Sequence, residues 1–380
     1  MPFRSLGLAP NITQAIAATG YSEPTPIQKE TIPAVMDHKD VLAISPTGTG
    51  KTAAYVWPIL HQLLTQVAPR YREPTVLILV PTRELADQVH AVFQAFIPTL
   101  PIQLNCQTVY GGVSINPQMQ SIGNTNILIA CPGRLLELLE KNAIRLTSVS
   151  TLVLDEADKM LNLGFKDEMD RILNKLPKKR QNLLFSATLS EELSDLQRVI
   201  LHEPRVIKIS TVPQSTELIQ QVAYLVSEEK KGPLLRYLIK QGEGKQVLVF
   251  ASSTVKVDSI VNKLLKNKIH TAPAHSKLSQ QTRTYTLQQF KNGELHVLVA
   301  TDLLGRGIDI ERLPCVINYE LPRSPKDYIH RIGRTGRADS QGHAISLVTP
   351  DELPHFKIIQ KKIGQRITLL HGDSLNLHGH

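Results

Sequence analysis

The chain has 380 residues, more than one hydrophobic core usually contains, and this length favours two domains. Its apolar residues (42%) and charged residues (20%) are in a globular balance that excludes a wholly disordered chain, and 21 Gly and 24 Pro are too few for a fibrous one. Lys and Arg exceed Asp and Glu by 43 to 34, and the net charge of +9 favours a polyanionic partner.

In the first half of the chain, short apolar and β-branched runs alternate with longer amphipathic stretches. Near-continuous apolar strands between helices are typical of a parallel sheet that is buried on both faces. The predicted strands are 41–44, 75–80, 127–130, 151–154, 182–185 and 206–209. The predicted helices are 52–64, 84–96, 134–141 and 166–176.

The same alternation restarts after residue 218. The predicted strands there are 222–226, 247–250, 297–300, 316–319 and 344–348, and the predicted helices are 233–240, 255–265, 280–290 and 355–363. A polar segment without periodicity, 210–217, separates the halves. We therefore predict an α/β protein with two domains, 1–209 and 218–364, joined by a short flexible linker and followed by a short frayed tail, 365–380. No repetition between the two halves is visible in the sequence.

The positive charge is concentrated in the second half. Residues 1–208 contain 20 basic and 19 acidic side chains, whereas residues 209–380 contain 23 and 15. A basic half is the electrostatic footprint expected of a nucleic-acid-binding protein, although a merely soluble cationic surface would give the same imbalance.

The cysteines indicate a reducing compartment. Cys106, Cys131 and Cys315 are odd in number and far apart, so neither a disulfide framework nor a zinc site is predicted. The first residues lack a signal-peptide pattern, and no apolar run approaches the roughly 20 residues that cross a bilayer. We therefore expect a cytoplasmic, soluble protein without a membrane partner. A metal site at His371, His378 and His380 is conceivable, but their irregular spacing favours a frayed tail.

A phosphate-binding loop is predicted between the first strand and its helix. The segment there reads Ser45-Pro46-Thr47-Gly48-Thr49-Gly50-Lys51-Thr52. Glycines let backbone N–H groups close around phosphate oxygens, and the following helix N-terminus adds a positive dipole. Lys51 would reach the β- and γ-phosphates and Thr52 would bind Mg²⁺. The strict pattern has glycine where this chain has Ser45, yet the adjacent Lys-Thr makes an ordinary glycine-rich turn a poor alternative.

Two further motifs suit phosphoryl chemistry. Asp155-Glu156-Ala157-Asp158 follows an apolar strand, where one carboxylate can hold Mg²⁺ and its neighbour can activate a water. The segment from His330 to Arg337 is dense in arginine, and guanidinium groups supplied from a second domain to a γ-phosphate are arginine fingers. A generic patch for a phosphate backbone is the alternative for these arginines.

With these motifs in order, the chain resembles the DEAD-box RNA helicases from Phe3 to about Ile363, and within that family it most resembles bacterial RhlE-like members. The segment from Gly20-Tyr21 to Gln28 resembles the Q motif, with Phe3 as its upstream aromatic residue. The resemblance implies two RecA-like domains and the cofactors ATP and Mg²⁺. It also implies that Gln28 reads the adenine edge while an aromatic ring stacks on the base.

The resemblance also assigns roles to residues that composition alone would not single out. Catalysis falls to Lys51, Asp155, Glu156, Arg334 and Arg337, and nucleotide binding extends to Tyr21, Gly307 and Asp309. Coupling of hydrolysis to closure of the domains falls to Asp158, Ser186, Thr188, His330 and Arg331. RNA binding falls to Pro81, Thr82, Arg83, Gly111, Gly112, Pro132, Gly133, Arg134, Ser252, His275, Arg283 and Thr301.

Three positions depart from the family pattern. Cys131 stands where threonine is usual, which weakens a hydroxyl contact to RNA, and Ser276 stands where glycine is usual, which limits how closely the backbone approaches a phosphate. Leu303-Leu304-Gly305 replaces a run of small residues, and we have no physical account of its effect.

The resulting hypothesis is an ATP-dependent RNA helicase that binds RNA mainly through the RNA backbone. Its recognition of RNA is therefore expected to be nearly independent of sequence. Closure of the domains on ATP and RNA would bend the RNA and separate short duplexes, with a monomer as the expected state. Two alternatives stay open at this point. One is an ATP-gated RNA clamp with little unwinding, and the other is a DNA helicase.

Overall fold

The computed structural model describes residues 2–46, 48–65, 73–189, 191–209, 219–242, 246–302, 313–336 and 342–377. The chain divides into two compact units, Met1–Thr211 and Val212–His380. The predicted linker, 210–217, lies outside the described residues. Within the described part of the chain, no helix is both long and apolar enough to cross a membrane.

The first unit is built around a sheet whose described strands are all parallel to their neighbours. These strands are β1 (Val41–Ile44), β2 (Val76–Leu79), β3 (Cys106–Val109), β4 (Ile127–Ala130), β5 (Thr151–Leu154), β6 (Gln181–Ser186) and β7 (Arg205–Lys208). The helices are α1 (Pro10–Ala18), α2 (Pro26–Met36), α3 (Lys51–Thr65), α4 (Arg83–Phe96), α5 (Ile115–Ser121), α6 (Pro132–Glu140), α7 (Ala157–Asn162), α8 (Lys166–Leu173) and α9 (Glu191–Ile200). The strand order is β3-β4-β2-β5-β6-β1-β7.

The second unit also has a parallel sheet. Its strands are β8 (Ile219–Leu225), β9 (Val247–Ala251), β10 (Thr271–Ala274), β11 (Val297–Thr301), β12 (Cys315–Asn318), β13 (Gly342–Val348) and β14 (Thr368–His371). Its described helices are α10 (Glu228–Gln241), α11 (Thr254–Lys266), α12 (Gln280–Lys291), α13 (Pro325–Ile332) and α14 (Leu353–Ile363). The strand order is β10-β11-β9-β12-β13-β8-β14.

The two units repeat one topology. Counted from the start of each unit, both sheets follow the order third, fourth, second, fifth, sixth, first, seventh. The repeat is therefore present in the fold although no repetition is visible in the sequence. This architecture confirms the predicted pair of RecA-like domains with parallel sheets flanked by helices. In such a sheet the strands' carboxyl ends share one edge, where ligands of open α/β sheets usually bind.

Side chains that alternate along each strand build a core on both faces of the first sheet. Val76 and Ile78 belong to one buried cluster, which α1 to α4 cover, while Leu77 and Leu79 belong to the other, which α6 to α9 cover. Full burial of a large apolar side chain contributes roughly 1.5–3 kcal/mol. The strand ends from which the loops emerge are therefore held from both sides.

All the predicted strands and helices are present, with differences at their ends. The largest is at α10, which begins at Glu228 rather than at Pro233, because Ser227 precedes it as an N-cap and the proline fits inside the helix. The edge strand β3 was missed because its sequence is half polar. The expectation of a frayed tail from residue 365 is wrong for Thr368–His371, which pairs with β8 as β14. All four side chains of β14 are exposed, and its sequence, Thr-Leu-Leu-His, does not alternate between apolar and polar residues. The sequence therefore did not indicate a strand there.

Candidate functional site

The predicted phosphate-binding loop connects β1 to α3 at the carboxyl edge of the first sheet. Gly48 and Gly50 adopt left-handed backbone angles, with φ of 75° and 90°, which glycine adopts without the steric penalty of a side chain. The Lys51 side chain is buried, and its Nζ donates a hydrogen bond of 2.8 Å to the Ser45 carbonyl oxygen. The Ser45 and Thr49 hydroxyl oxygens lie 2.7 Å apart. The loop is thus folded back on itself, and its lysine is held at the carboxyl end of β1.

The Q-motif glutamine contacts this loop directly. Gln28 is buried at the start of α2, where its Oε1 accepts a hydrogen bond of 3.0 Å from the Thr25 N–H. Its Nε2 donates a hydrogen bond of 3.2 Å to the Gly50 carbonyl oxygen. A Cβ at Gly50 would lie 2.5 Å from that nitrogen. Any side chain there would therefore displace the glutamine.

The aromatic residues predicted for the base differ in exposure. Phe3 is 3% exposed and meets the Trp57 ring edge to face at 5.3 Å between centroids. Tyr21 contacts the same indole at 5.2 Å but is 47% exposed. Phe3 therefore belongs to the core that supports this surface, and Tyr21 is the aromatic residue of the pair that is open to a ligand.

The acidic motif follows β5, at the same edge of the sheet. Asp155 is 2% exposed, and its Oδ1 accepts a hydrogen bond of 2.9 Å from the Glu156 N–H. Burial raises the pKa of Asp155 to about 6, with the nearby Lys51 charge acting against it and Glu156 adding to it. Glu156 has a left-handed backbone, φ 51° and ψ 47°, a sparsely populated conformation for a non-glycine residue. Its Oε2 accepts a hydrogen bond of 2.9 Å from Lys159 Nζ.

Sequence reasoning missed Tyr55, which also contacts the acidic motif. The Tyr55 hydroxyl donates a hydrogen bond of 2.9 Å to Asp155 Oδ2, and the tyrosine is fully buried. The only signal in the sequence is its position one turn after Lys51 on an otherwise apolar stretch of α3, which places both residues on one helix face. Burial and the neighbouring Asp155 charge raise the pKa of Tyr55 well above its usual value, so the side chain is a neutral donor.

Three of the five residues predicted to couple hydrolysis to closure, Asp158, Ser186 and Thr188, are in contact within the first unit. Thr188 donates a hydrogen bond of 2.6 Å from its hydroxyl to Asp158 Oδ2. The Ser186 hydroxyl donates to the Thr188 carbonyl oxygen at 2.8 Å. The acidic motif after β5 and the small-residue segment after β6 are therefore joined by a hydrogen bond between two buried or half-buried side chains.

The RNA-binding residues predicted for the first unit lie on the loops and helix starts that follow β2, β3 and β4. Thr82 caps α4, with its hydroxyl oxygen accepting a hydrogen bond of 3.3 Å from the Leu85 N–H. Gly112 has a φ of 76°, and a Cβ there would lie 1.8 Å from Arg83 Nη2, so the guanidinium packs directly on the glycine. The Arg134 Nη2 donates to the Val113 carbonyl oxygen at 2.8 Å. The other predicted residues of this group lie next to these: Pro81, Gly111, Pro132 and Gly133.

Arg134 also carries one buried guanidinium nitrogen that the described residues leave without a hydrogen bond. Its Nε pairs with Glu137 Oε2 at 3.0 Å, whereas its Nη1 has no hydrogen-bond partner among the described residues. The neighbouring Cys131 is buried, and burial raises the pKa of its thiol to about 12, so it is neutral. The departure at Cys131 therefore replaces a hydroxyl with an apolar thiol and adds no charge.

In the second unit, Arg331 is held by its own unit. The Nε and Nη2 atoms donate to the two carboxylate oxygens of Asp302 at 2.5 and 2.8 Å. Its Nη1 donates to Asn318 Oδ1 at 3.0 Å, and the guanidinium lies 5.0 Å from the centroid of the Phe250 ring. Arg331 is thus a bidentate partner that ties together the ends of β9, β11 and β12. Arg334 is buried beside it and His330 is half-buried.

The RNA-binding residues predicted for the second unit follow adjacent strands. The Ser252 N–H and hydroxyl both donate to Glu320 Oε2 at 2.7 Å. His275 is buried, with its Nε2 2.9 Å from Asp258 Oδ1. Arg283 is buried on α12, and Thr301 ends β11. The sheet therefore brings these four predicted residues to the carboxyl ends of β9, β10 and β11, and Ser252 is the exposed one among them.

Some predictions fall outside the described residues. These are the site residues Thr47, Gly307, Asp309 and Arg337, the departure Leu303-Leu304-Gly305, and His378 and His380. Among the residues that the structure describes, no group of three or more His, Cys, Asp or Glu side chains could hold a metal ion.

Comparisons with known families and proteins agree with this geometry. The profile of the DEAD/DEAH box helicase family matches residues 25–196, and that of the helicase conserved C-terminal domain matches residues 229–339. The chain is 37% identical to an ATP-dependent rRNA helicase, rrp-3, of Neurospora crassa over 96% of this chain and 70% of that protein. It is 37% identical to the ATP-dependent RNA helicase CshA of Limosilactobacillus reuteri over 95% of this chain and 72% of that protein.

Solved structures of similar proteins have nucleotide and RNA bound. Dbp5 of S. cerevisiae bound to RNA and ADP BeF3 is 30% identical, covers 98% of this chain and 96% of its own, and superposes with a TM-score of 0.84. Mss116p bound to ssRNA and AMP-PNP is 28% identical, covers 97% of this chain and 78% of its own, and also has a TM-score of 0.84. The finer resemblance to RhlE-like members stays a prediction.

Proposed function

The chain belongs to the DEAD-box family of ATP-dependent RNA helicases, and from this premise we propose which of its residues act at each step. The protein is an RNA helicase that hydrolyses ATP. The observation that carries the assignment of residues is the meeting of three segments at one edge of the first sheet. These are the loop that holds Lys51, the acidic motif at Asp155, and the segment at Thr188 that is bonded to Asp158.

We propose that ATP binds along this edge. The backbone N–H groups of Gly48, Thr49 and Gly50 would surround the phosphates, and Lys51 would exchange the Ser45 carbonyl for phosphate oxygens. A Gln amide pairs bidentately with adenine N6 and N7, which suits Gln28 once it is freed from Gly50. Tyr21 is the exposed aromatic residue beside it. This arrangement favours ATP over GTP.

The residues present fit a magnesium ion. Mg²⁺ is usually bound through one or two carboxylates together with substrate phosphates and waters, rather than by an all-protein cage. Asp155 and the Thr52 hydroxyl would hold it. Burial raises the pKa of Asp155 to about 6, and a bound cation would favour the ionised carboxylate. When bound, the ion would neutralise charge on the β- and γ-phosphate oxygens.

Hydrolysis needs a base and charge stabilisation. Glu156 is the proposed general base, and its left-handed backbone and ion pair with Lys159 fix the direction of its carboxylate. Arg334 and Arg337 of the second unit are the proposed arginine fingers, which would reach the γ-phosphate when ATP and RNA bring the units together. Thr188 and Asp158 would transmit that closure to the RNA-binding loops.

RNA binding is proposed to depend on the backbone of the RNA. In the first unit, Arg83, Arg134 and the loop at Gly111-Gly112 offer guanidinium and N–H donors to phosphates. In the second unit, Ser252 already gives two hydrogen bonds to the Glu320 carboxylate, an oxygen acceptor like a phosphate. Recognition of this kind is nearly independent of sequence, and contacts to 2′-hydroxyl groups would favour RNA over DNA.

A steady-state assay of ATP hydrolysis tests this proposal. Turnover is measured without nucleic acid, with single-stranded RNA, and with single-stranded DNA of the same sequence at one low salt concentration. We expect stimulation by RNA and little by DNA. Equal stimulation by DNA would contradict the assignment of the RNA-binding residues. Basal turnover that no nucleic acid changes would contradict the proposed closure.

The clamp alternative needs a second measurement. A complex with RNA and a non-hydrolysable ATP analogue that lasts for hours, together with no separation of short duplexes, would favour an ATP-gated clamp. We further propose a monomer in the cytoplasm. The three cysteines, none of which forms a disulfide, support a reducing compartment, and sedimentation in reducing buffer tests the monomer.

A further inference from the structure

We propose that Tyr55 is a positioning residue for the ATPase reaction, whose buried hydroxyl holds the Asp155 carboxylate in the orientation that binds Mg²⁺. This inference rests on the role proposed above for Asp155. The hydrogen bond joins Tyr55 Oη to Asp155 Oδ2 at 2.9 Å, and both side chains are removed from solvent. The two residues are 100 positions apart in the sequence, so the contact belongs to the fold and not to a local motif.

The hydrogen bond completes a two-point fixation of the carboxylate. Asp155 Oδ1 accepts from the Glu156 N–H at 2.9 Å, and Oδ2 accepts from Tyr55. With one donor on each oxygen, the carboxylate plane cannot rotate without breaking a hydrogen bond. A carboxylate has about four acceptor sites, so two remain for a metal ion or for the waters around it. Outer-sphere partners that orient a metal-binding carboxylate in this way tune metal affinity.

The tyrosine itself is rigidly placed. It lies on α3 one turn after Lys51 and Thr52, and its ring packs against Phe185 of β6 at 5.1 Å between centroids. The aromatic ring has only two side-chain torsions, so this packing fixes the position of the hydroxyl. Tyr55 thus links the helix that carries the phosphate-binding lysine to the strand that carries the acidic motif.

The competing explanation is a purely structural hydrogen bond, in which the hydroxyl only satisfies a buried carboxylate. The two explanations differ in what they predict for magnesium. A structural bond affects the stability of the fold alone. A hydrogen bond that positions Asp155 also changes the half-saturating Mg²⁺ concentration, at which the effect of Mg²⁺ on nucleotide binding reaches half of its maximum.

The test uses Tyr55→Phe, which keeps the ring and its packing and removes only the hydroxyl. Binding of a fluorescent ADP analogue to the full chain is titrated with MgCl₂, and binding is measured separately in EDTA. We expect the half-saturating Mg²⁺ concentration to rise about 10-fold, the lower end of what loss of an outer-sphere partner does to metal affinity. Binding in EDTA should stay unchanged, because the contacts of Lys51 and the loop to phosphate do not involve Tyr55.

Two further variants separate the possible failures. Tyr328→Phe is the matched control, since Tyr328 is also fully buried and donates its hydroxyl to Gln221 at 3.1 Å within the second unit. It should change neither titration. Asp155→Asn should abolish the Mg²⁺ dependence, and adding Tyr55→Phe to it should have no further effect. A normal Mg²⁺ midpoint in Asp155→Asn would overturn the proposed metal site itself, separately from the role of Tyr55.

The inference is overturned if Tyr55→Phe lowers the unfolding temperature and leaves the Mg²⁺ midpoint unchanged. If this variant does not fold, 3-fluorotyrosine at position 55 replaces it, because it keeps both the shape and the hydroxyl donor. Its ¹⁹F resonance should shift when Mg²⁺ is added to the ADP complex and not when ADP binds in EDTA. The absence of a shift specific to Mg²⁺ would equally overturn the inference.

Discussion

The two units have the same order of strands but differ at the loop that follows the first strand. In the first unit, six residues separate the end of β1 at Ile44 from the start of α3 at Lys51, and two of them are left-handed glycines. In the second unit, only two residues separate the end of β8 at Leu225 from the start of α10 at Glu228. A loop of two residues cannot surround a phosphate group. The same topology therefore supplies a nucleotide site once.

A buried lysine nevertheless lies in the first turn of the helix in both units. Among the described residues, the Lys51 ammonium donates a hydrogen bond to a backbone carbonyl alone, whereas Lys231 is 1% exposed and donates a hydrogen bond of 2.9 Å to Glu352 Oε2. Its ammonium also lies 5.8 Å from the ring of Tyr319, which follows β12 as Asp155 follows β5. The second unit thus provides its own anion beside the lysine. The fold therefore positions a lysine at this place in both units. The length of the loop and the presence of a neighbouring carboxylate determine whether the lysine pairs with a ligand or with the protein itself.

The largest effect that tests this comparison is expected from the lysines. Lys51→Ala should lower nucleotide affinity roughly 100-fold or more, because charge-assisted hydrogen bonds to phosphate are lost, and turnover should fall with it. Lys231→Ala should keep nucleotide affinity and lower the free energy of unfolding by about 1–3 kcal/mol, since Glu352 loses its partner but is partly exposed to water. Nucleotide binding is measured by fluorescence and stability by urea unfolding. Near-normal hydrolysis in Lys51→Ala would contradict the assignment of the loop between β1 and α3 as the phosphate-binding loop.

The glutamates after β5 and β12 provide the second test. Glu156→Gln keeps the shape of the side chain but cannot accept a proton, so turnover should fall about 10²- to 10⁴-fold while ATP and RNA binding remain. Glu320 follows β12 in the same way, but its carboxylate accepts from Ser252, and Glu320→Gln should leave turnover at saturating RNA unchanged. Single-turnover hydrolysis, with enzyme and RNA both in excess over ATP, measures the difference. Retained turnover in Glu156→Gln would show that another group is the base.

The parts of the site that are contiguous in the chain could be predicted from the sequence. The glycines and Lys51 of the loop, and Asp155-Glu156 after an apolar strand, carry their chemistry in adjacent residues. The contact between Gln28 and Gly50 spans 22 positions and that between Tyr55 and Asp155 spans 100, and no spacing rule relates such residues before the fold is known.

The fold shows the same division between local and distant signals. Strands with continuous apolar runs, such as β2 and β4, were predicted because both of their faces are buried. Three strands at the sheet edges, β3, β10 and β14, were missed, because an edge strand has less apolar surface to bury. The shared strand order was not predictable either. It depends on which strands pair, and the two units satisfy the same pairing with different side chains.

The smallest expected effect separates coupling from stability. In the first unit the Thr188 hydroxyl donates to Asp158 at 2.6 Å, and in the second the Thr349 hydroxyl, which follows β13, donates to Glu352 at 3.1 Å. Valine at either position keeps the shape and removes one hydrogen bond, which should lower the free energy of unfolding by about 1 kcal/mol in each case. Thr188→Val should also reduce the number of duplexes separated per ATP hydrolysed, measured by unwinding and phosphate release in one reaction, whereas Thr349→Val should not. A hydrogen bond that serves coupling must change the number of duplexes separated per ATP hydrolysed. If this number is the same in the two variants, the contact at Thr188 only stabilises the first unit.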